Sequence, residues 1–76
     1  MFSISLRNAT SIRRYSIAQL SDAGWEVISQ KEGEPAHHVC YRDWHRVERA
    51  MTRFRLEVSK LTALGWQVYA AQEPLR

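Results

Sequence analysis

Cysteine is almost missing from this chain, which has a single one, Cys40, among 76 residues. A disulfide within the chain is therefore impossible, and the class of small secreted domains that depend on disulfides is excluded. A lone thiol is typical of a protein in a reducing compartment. We therefore expect a cytoplasmic protein.

Long apolar runs are missing as well. No stretch approaches the roughly 20 apolar residues that are needed to cross a bilayer. Residues 2–7 alternate apolar and polar side chains, unlike the continuous apolar core of a signal peptide. The sequence therefore predicts no membrane partner, no anchor and no targeting segment.

Motifs for the common catalytic and cofactor chemistries are also missing. The chain contains no phosphate-binding loop, no dinucleotide fingerprint, no zinc-protease motif and no calcium-binding loop. Cys40 with His38 or His45 is the only candidate pair for nucleophilic catalysis, and no glycine-rich loop accompanies it to stabilise an oxyanion. We therefore expect no enzymatic activity and no cofactor.

A group of potential metal ligands does occur between residues 37 and 45. His38 and Cys40 share one face of a predicted strand, whereas His37 points to the other face. No second pair of ligands at zinc-finger spacing is present elsewhere. We interpret these residues as a half-buried strand cysteine with surface histidines, and we expect no metal site.

The composition is that of a small folded domain. The hydrophobic share of 45% and the charged share of 25% are ordinary for a globular chain. A chain of this length buries only roughly 60% of its unfolded surface, so its core is expected to be small. We expect one domain over residues 1–76, with residues 73–76 a frayed tail.

The clearest element is a long amphipathic helix over residues 43–64. Asp43 is expected to be its N-cap, and Gly65 is expected to end it in the left-handed conformation. Apolar residues recur at spacings of three and four, which predicts one buried stripe. The stripe consists of Trp44, Val47, Met51, Phe54, Val58 and Leu61.

Alternating apolar and polar residues predict four strands, over residues 2–7, 25–31, 36–42 and 66–71. A turn that contains glycine and proline predicts a hairpin between the second and the third of them. One face of each strand should point toward the helix. This inner set is expected to be Phe2, Ile4, Leu6, Trp25, Val27, Val39, Tyr41, Trp66, Val68 and Ala70.

The stretch after the first strand allows two interpretations. Ser16 and Gln19 match a capping box, which predicts a short helix over residues 17–23. Residues 11–15 are then extended or form a further strand. In the competing interpretation the helix begins near Ser11.

The order of these elements, β-α-β-β-α-β, predicts a ferredoxin-like (split βαβ) fold of the α+β class, with a four-stranded antiparallel sheet and one short and one long helix on one face. With an extra strand over residues 11–15, the class remains α+β. Segments 20–27 and 61–68 share a frame of Leu, Gly, Trp and Val, which predicts two related halves. The first segment resembles the helix-to-strand junction of certain small bacterial domains, which implies a local structure and no activity.

The long helix also carries a row of cations on the side opposite its apolar stripe. Arginine forks on a rigid helix suit the anionic groups of a partner, and Leu56 beside them suits a protein partner. The competing interpretation is a solvated face on which Glu57 pairs with Arg53 and Lys60. The predicted partner-binding residues, called the basic ridge below, are Arg46, Arg49, Arg53, Leu56 and Lys60.

The leading functional hypothesis is a small non-enzymatic binding or inhibitory protein that docks through the basic ridge on the acidic surface of a protein or nucleoprotein partner. In size, charge and lack of a catalytic centre the chain is similar to small phage-borne inhibitors of host defence, anti-CRISPR proteins among them. That resemblance implies an inhibitor of a host nucleoprotein complex.

Two other hypotheses concern the partner. The first is direct nucleic-acid binding by the same ridge, which ranks second because the net charge is only +3. The second is a subunit of a larger assembly, or a homodimer, in which the outer face of the sheet is covered at Ile28, Cys40 and Tyr69.

Overall fold

The structure, a computed structural model, describes residues 2–20 and 24–72. Its elements are β1 (Phe2–Arg7), β2 (Ile12–Gln19), β3 (Trp25–Lys31), β4 (His37–Tyr41), α1 (Trp44–Ala63) and β5 (Gln67–Gln72). The four predicted strands and the long helix are confirmed to within one residue at each end. The tail predicted over residues 73–76 lies outside the described residues.

The short helix predicted over residues 17–23 is wrong, and so is the competing helix from Ser11. Residues 12–19 form β2, while residues 21–23 lie outside the described part of the chain. β2 pairs antiparallel with β1 over the full length of β1. A ladder of backbone hydrogen bonds therefore outweighs the capping box, which is a local signal worth about 1 kcal/mol.

The turn between β1 and β2 explains why this hairpin forms. The Asn8 side-chain oxygen accepts hydrogen bonds from the backbone N–H groups of Thr10 and Ser11, at 2.9 and 2.8 Å. The Asn8 N–H also donates to the Ser11 carbonyl oxygen at 3.0 Å. Asparagine closes such turns with its own side chain, so the chain reverses directly after β1.

The predicted ferredoxin-like fold is wrong. The described strands form a five-stranded antiparallel sheet in the order β4-β3-β2-β1-β5, with one helix. The first four strands follow one another as a meander, and α1 then crosses the sheet so that β5 pairs with β1 at the far side. The class is α+β, as predicted, but with a β-β-β-β-α-β order.

The prediction of two related halves is also wrong, because the shared glycines have different roles. Gly24 follows a strand, and the Leu20 N–H donates to the Gly24 carbonyl oxygen at 2.8 Å. A Cβ on Gly24 would lie 3.3 Å from the Tyr41 carbonyl oxygen, so glycine allows the close approach of β4. Gly65, in contrast, follows a helix.

The predicted ends of α1 are confirmed. Asp43 is the N-cap, and its side chain accepts the His45 N–H at 3.0 Å. At the other end Gly65 has a φ of 100°, its N–H donates to the Thr62 carbonyl oxygen, and the Trp66 N–H donates to the Leu61 carbonyl oxygen. This pair of bonds is the Schellman motif that stops a helix at a left-handed glycine.

Helix α1 packs on one face of the sheet through the predicted apolar stripe. Tyr15 and Ile17 of β2 are buried beneath it, although the predicted inner set omits them because the pattern there favours a helix. Each large side chain buried in this way contributes roughly 1.5–3 kcal/mol to stability. Within the described residues, the buried core contains Phe2, Leu6, Tyr15, Ile17, Val27, Val47, Ala50, Phe54 and Leu61.

Strand β5 departs from the predicted inner set. The register between β1 and β5 shifts between Ser5, which faces Ala70, and Leu6, which faces Val68, so Tyr69 is an extra residue in a β-bulge. Ala70 therefore shares the outer face with Ser5 and does not point toward the helix. Val68 lies on the inner face, but it is 42% exposed.

No helix in the described part of the chain is both long and apolar enough to cross a membrane.

Candidate partner-binding surface

The structure places all five residues of the basic ridge on the exposed side of α1. Leu56, the apolar member, is 58% exposed. Within residues 2–20 and 24–72, none of the four cations forms an ion pair. The solvated-face interpretation requires Glu57 to pair with Arg53 and Lys60, and neither pair is present among the described residues. Within the described residues, the ridge cations therefore make no direct contact with a carboxylate.

Three ridge residues, Arg53, Leu56 and Lys60, also line a groove of about 480 Å³. The groove lies between the second half of α1 and the β3–β4 hairpin, so its walls come from two separate parts of the chain. Its volume is within the range of roughly 300–1,000 Å³ that is typical of ligand pockets. The ridge therefore ends in a concave site.

The base of the groove is aromatic. Tyr15 and Phe54 line it, and each is only 7% exposed. Their ring centroids are 4.9 Å apart and the rings are tilted by 40°, a favourable arrangement for two aromatic side chains. Both rings belong to the core, which holds them in place. An apolar side chain of a partner would meet a rigid surface there.

The hairpin wall adds residues that the sequence patterns do not assign to a partner-binding surface. Lys31, Glu34, Pro35 and His37 line the groove opposite the helix. They come from the end of β3, the turn and the start of β4. Helical periodicity describes only residues within α1. The hairpin wall cannot be predicted from it, because this wall depends on where β3 and β4 lie relative to the helix.

The rim of the groove carries charges of both signs. Lys31, Arg53 and Lys60 are cationic, whereas Glu34 and Glu57 are carboxylates, one on each wall. Three positive and two negative groups leave an excess of one positive charge. The two carboxylates weaken the attraction of this rim for a polyanionic backbone, while a protein segment of mixed charge could pair with both kinds of group.

The other two ridge residues, Arg46 and Arg49, do not line the groove. Arg49 lies about one turn and Arg46 about two turns before Arg53 on the same side of α1, and Arg46 is about 10 Å from Arg53 along the helix axis. The structure therefore divides the ridge into an open, purely basic part and a part that forms one wall of a groove.

A second group of reactive side chains lies on the outer face of the sheet. His38 Nε2 is 2.8 Å from Glu26 Oε2 and 3.7 Å from Cys40 Sγ. In a catalytic relay the histidine contacts the nucleophile with one ring nitrogen and the carboxylate with the other. Here both contacts use the same nitrogen, so this group lacks that geometry.

Within residues 2–20 and 24–72, no three side chains among His, Cys, Asp and Glu are grouped as a metal site requires.

The three outer-face residues named for the homodimer hypothesis do not lie side by side. Ile28 is on β3 and Cys40 on β4, whereas Tyr69 is on β5 at the opposite edge of the sheet. Three strand spacings of about 4.8 Å separate β3 from β5, a distance of about 14 Å. Polar side chains of β1 and β2, such as Ser5 and Arg14, lie between them.

Comparison of the chain with protein-family models, with curated proteins and with solved structures gave no match. The surface is therefore interpreted from its own geometry.

Proposed function

We propose that this protein is a small non-enzymatic binding or inhibitory protein that docks on a macromolecular partner through the basic ridge and the adjoining groove. The observation that supports this most is the row of four exposed cations, unpaired within the described residues, that leads to a groove with an aromatic base. The cations would guide the encounter, and the groove would hold the partner in one orientation.

The chemistry of the surface favours a protein partner. Arginine and aromatic side chains are enriched at protein interfaces, and an apolar anchor in a rigid pocket is the usual centre of binding energy. The partner would present an acidic surface to Arg46 and Arg49. It would also insert an apolar side chain between Leu56 and Phe54.

As an inhibitor, the protein would act by occupation. A partner surface that binds the ridge is covered by α1, so a competing macromolecule such as nucleic acid loses access to it. A host nucleoprotein complex is the target that we propose, by analogy with phage-borne inhibitors. The encounter would take place in the cytoplasm, where a lone thiol such as Cys40 remains reduced.

The test compares two charge-reversed variants of equal net charge. Arg49→Glu/Arg53→Glu alters the ridge, and Arg14→Glu/Arg42→Glu alters two exposed arginines outside it. Each immobilised version is incubated with a bacterial extract, and the retained proteins are quantified by mass spectrometry. A partner purified from this experiment is then titrated against all three versions.

We expect the ridge variant to lose the partner and to bind it at least about 100-fold more weakly, since each buried charged contact is worth about 2 kcal/mol or more. The control variant should bind like the unaltered protein. Equal affinity of all three versions, with unchanged circular dichroism spectra, would remove the basic ridge from the interface.

Direct nucleic-acid binding is the alternative, and the four unpaired cations are the observation in its favour. It predicts binding of a short labelled DNA duplex that weakens about 100-fold between about 50 and 200 mM salt, because about four phosphate contacts release their counterions. The carboxylates of Glu34 and Glu57 beside the groove argue against it. Fluorescence anisotropy that stays flat at low salt would reject this alternative.

A further inference from the structure

Strand β5 is an open edge of the sheet. In the described part of the chain it pairs only with β1, and all six of its residues are exposed. An edge strand presents a row of backbone N–H and C=O groups that can pair with another strand. Natural proteins usually protect such an edge with charge, with proline or with a covering element.

The usual protection is largely missing here. β5 has the sequence Gln-Val-Tyr-Ala-Ala-Gln, without a charged residue or a proline. The bulge at Tyr69 increases the local twist, but the strand continues on both sides of it. The opposite edge, β4, contains His37 and His38 and follows Pro35, whereas β5 has no such residue within the strand and is followed in the sequence by Glu73 and Pro74.

Exposed apolar side chains accompany this edge. Leu64 is 79% exposed, and Val68 and Tyr69 are each 42% exposed. Within the described residues the only other large apolar side chain in this class is Leu56 of the basic ridge. Helix α1 contacts β2, β3 and β4, and Val68 on the inner side of β5 remains partly exposed.

We propose that β5 pairs antiparallel with β5 of a second copy of this chain, which joins the two sheets into one of ten strands. The twofold axis of such a pair is perpendicular to the sheet, so the inner faces of both copies lie on the same side. In the register that pairs Gln67 with Gln72 of the other copy, Val68 of each copy faces Ala71 of the other on that side. The Tyr69 side chains meet on the outer face.

Charge makes a second copy the best occupant of this edge. The chain has a net charge of +3, so two copies repel each other over most orientations. In the register that pairs Gln67 with Gln72, six uncharged residues face six uncharged residues along the β5 seam, and Arg7 of β1 lies over the Tyr69 ring at 5.5 Å on its outer face. The seam shares no residue with the basic ridge or the groove, so this inference does not depend on the proposed function.

The first experiment measures the mass of the full chain by analytical ultracentrifugation from micromolar to millimolar concentration. We expect a monomer–dimer equilibrium. In the variant Val68→Lys/Ala70→Lys, one lysine is added on each face of the seam, and the symmetry places each of them near its copy. Like charges in contact at an interface are strongly unfavourable, so dimer formation should weaken about 100-fold.

The matched control is Leu56→Lys/Ala36→Lys, which adds the same two charges by the same kind of substitution at exposed positions away from β5. It should dimerise like the unaltered protein. Hydrogen exchange supplies a second measurement, in which amides of residues 67–72 gain protection as concentration rises and those of β4 do not. A monomer at every concentration, a dimer that survives the seam variant, or species that grow without limit would each overturn the proposal.

Discussion

The two edges of the sheet differ in how far the helix covers them. β2, β3 and β4 lie under α1, whereas β5 at the other edge exposes every residue. The cause is geometric, because five strands at about 4.8 Å spacing span about 19 Å and a helix with its side chains is only about 10 Å wide. One helix therefore cannot cover this sheet, and the side that it leaves open becomes available for other contacts.

The covered and the open side also carry different kinds of surface. Where the helix meets the β3–β4 hairpin, the two elements form a groove with a rim of mixed charge and an aromatic base. Where the helix does not reach, the sheet ends in an uncharged strand with exposed Val68 and Tyr69. The first surface suits a charged partner, and the second suits another strand.

The largest expected effect is a difference in unfolding free energy between a buried residue under the helix and an exposed residue near β5. Phe54→Ala removes a ring that is 7% exposed and that packs on Tyr15 and Phe2. We expect it to lower the free energy of unfolding by about 3–5 kcal/mol, whereas Leu64→Ala on the open side should change it by less than about 0.5 kcal/mol. Urea unfolding followed by tryptophan fluorescence measures both.

Phe54→Ala could leave too little stability for a measurable transition, so Phe54→Leu provides a milder version. It should cost less than Phe54→Ala and still more than Leu64→Ala. A loss at Leu64 as large as the loss at Phe54 would show that the side described as open is in fact covered.

A smaller effect on the free energy of unfolding is expected at the connection between α1 and β5. Gly65→Ala places a Cβ on a residue with a φ of 100°, where nothing lies within 4 Å of it. The cost is therefore conformational and should be about 1–2 kcal/mol of unfolding free energy. Thermal unfolding monitored by circular dichroism tests it, and a stabilising substitution would contradict the Schellman motif at this position.

The N-terminal cap of α1 should contribute slightly less. Asp43→Ala removes the acceptor of the His45 N–H, and we expect a loss of about 1 kcal/mol. Asp43→Asn keeps an acceptor at the same place and is the control, with a loss of a few tenths of a kcal/mol expected from the weaker dipole interaction. If both variants were equally destabilised, the side-chain hydrogen bond would not be the cause.

The smallest effect is expected on the outer face of the sheet. Glu26→Gln removes the charge that faces His38 at 2.8 Å, but the two side chains are 31% and 50% exposed. Exposed ion pairs contribute between about 0 and 1 kcal/mol, so the free energy of unfolding should fall by less than about 1 kcal/mol. A larger loss in urea unfolding would indicate that this cluster is more important for the fold than its exposure suggests.

Much of α1 and of the ridge is predictable from neighbouring residues in the sequence. Asp43, Gly65 and the spacing of the apolar stripe are local signals, and a regular helix converts spacing directly into direction. The same conversion places Arg53 and Lys60 on one side of the helix. Lys31 and Glu34 across the groove are not predictable in this way, because no local rule states which hairpin lies beside which helix.

The error in residues 12–19 has the opposite cause. Arg13, Tyr15 and Ile17 alternate toward the core as a strand requires, but Ser16 and Gln19 give an equally valid local signal for a helix. The conflict is resolved by pairing with β1, which makes a hydrogen-bonded ladder along the whole segment. Local signals alone do not include this strand pairing. They therefore predict a second helix and, with it, the ferredoxin-like fold.

Local chemistry thus decides the single long helix, its two ends, its buried stripe and its basic side, because each depends on residues within a few positions of one another. The order of the strands, the groove and the exposed β5 edge depend on contacts between residues far apart in the chain. Tertiary structure alone decides them, since the energy that selects strand pairing and helix placement is shared among many distant contacts.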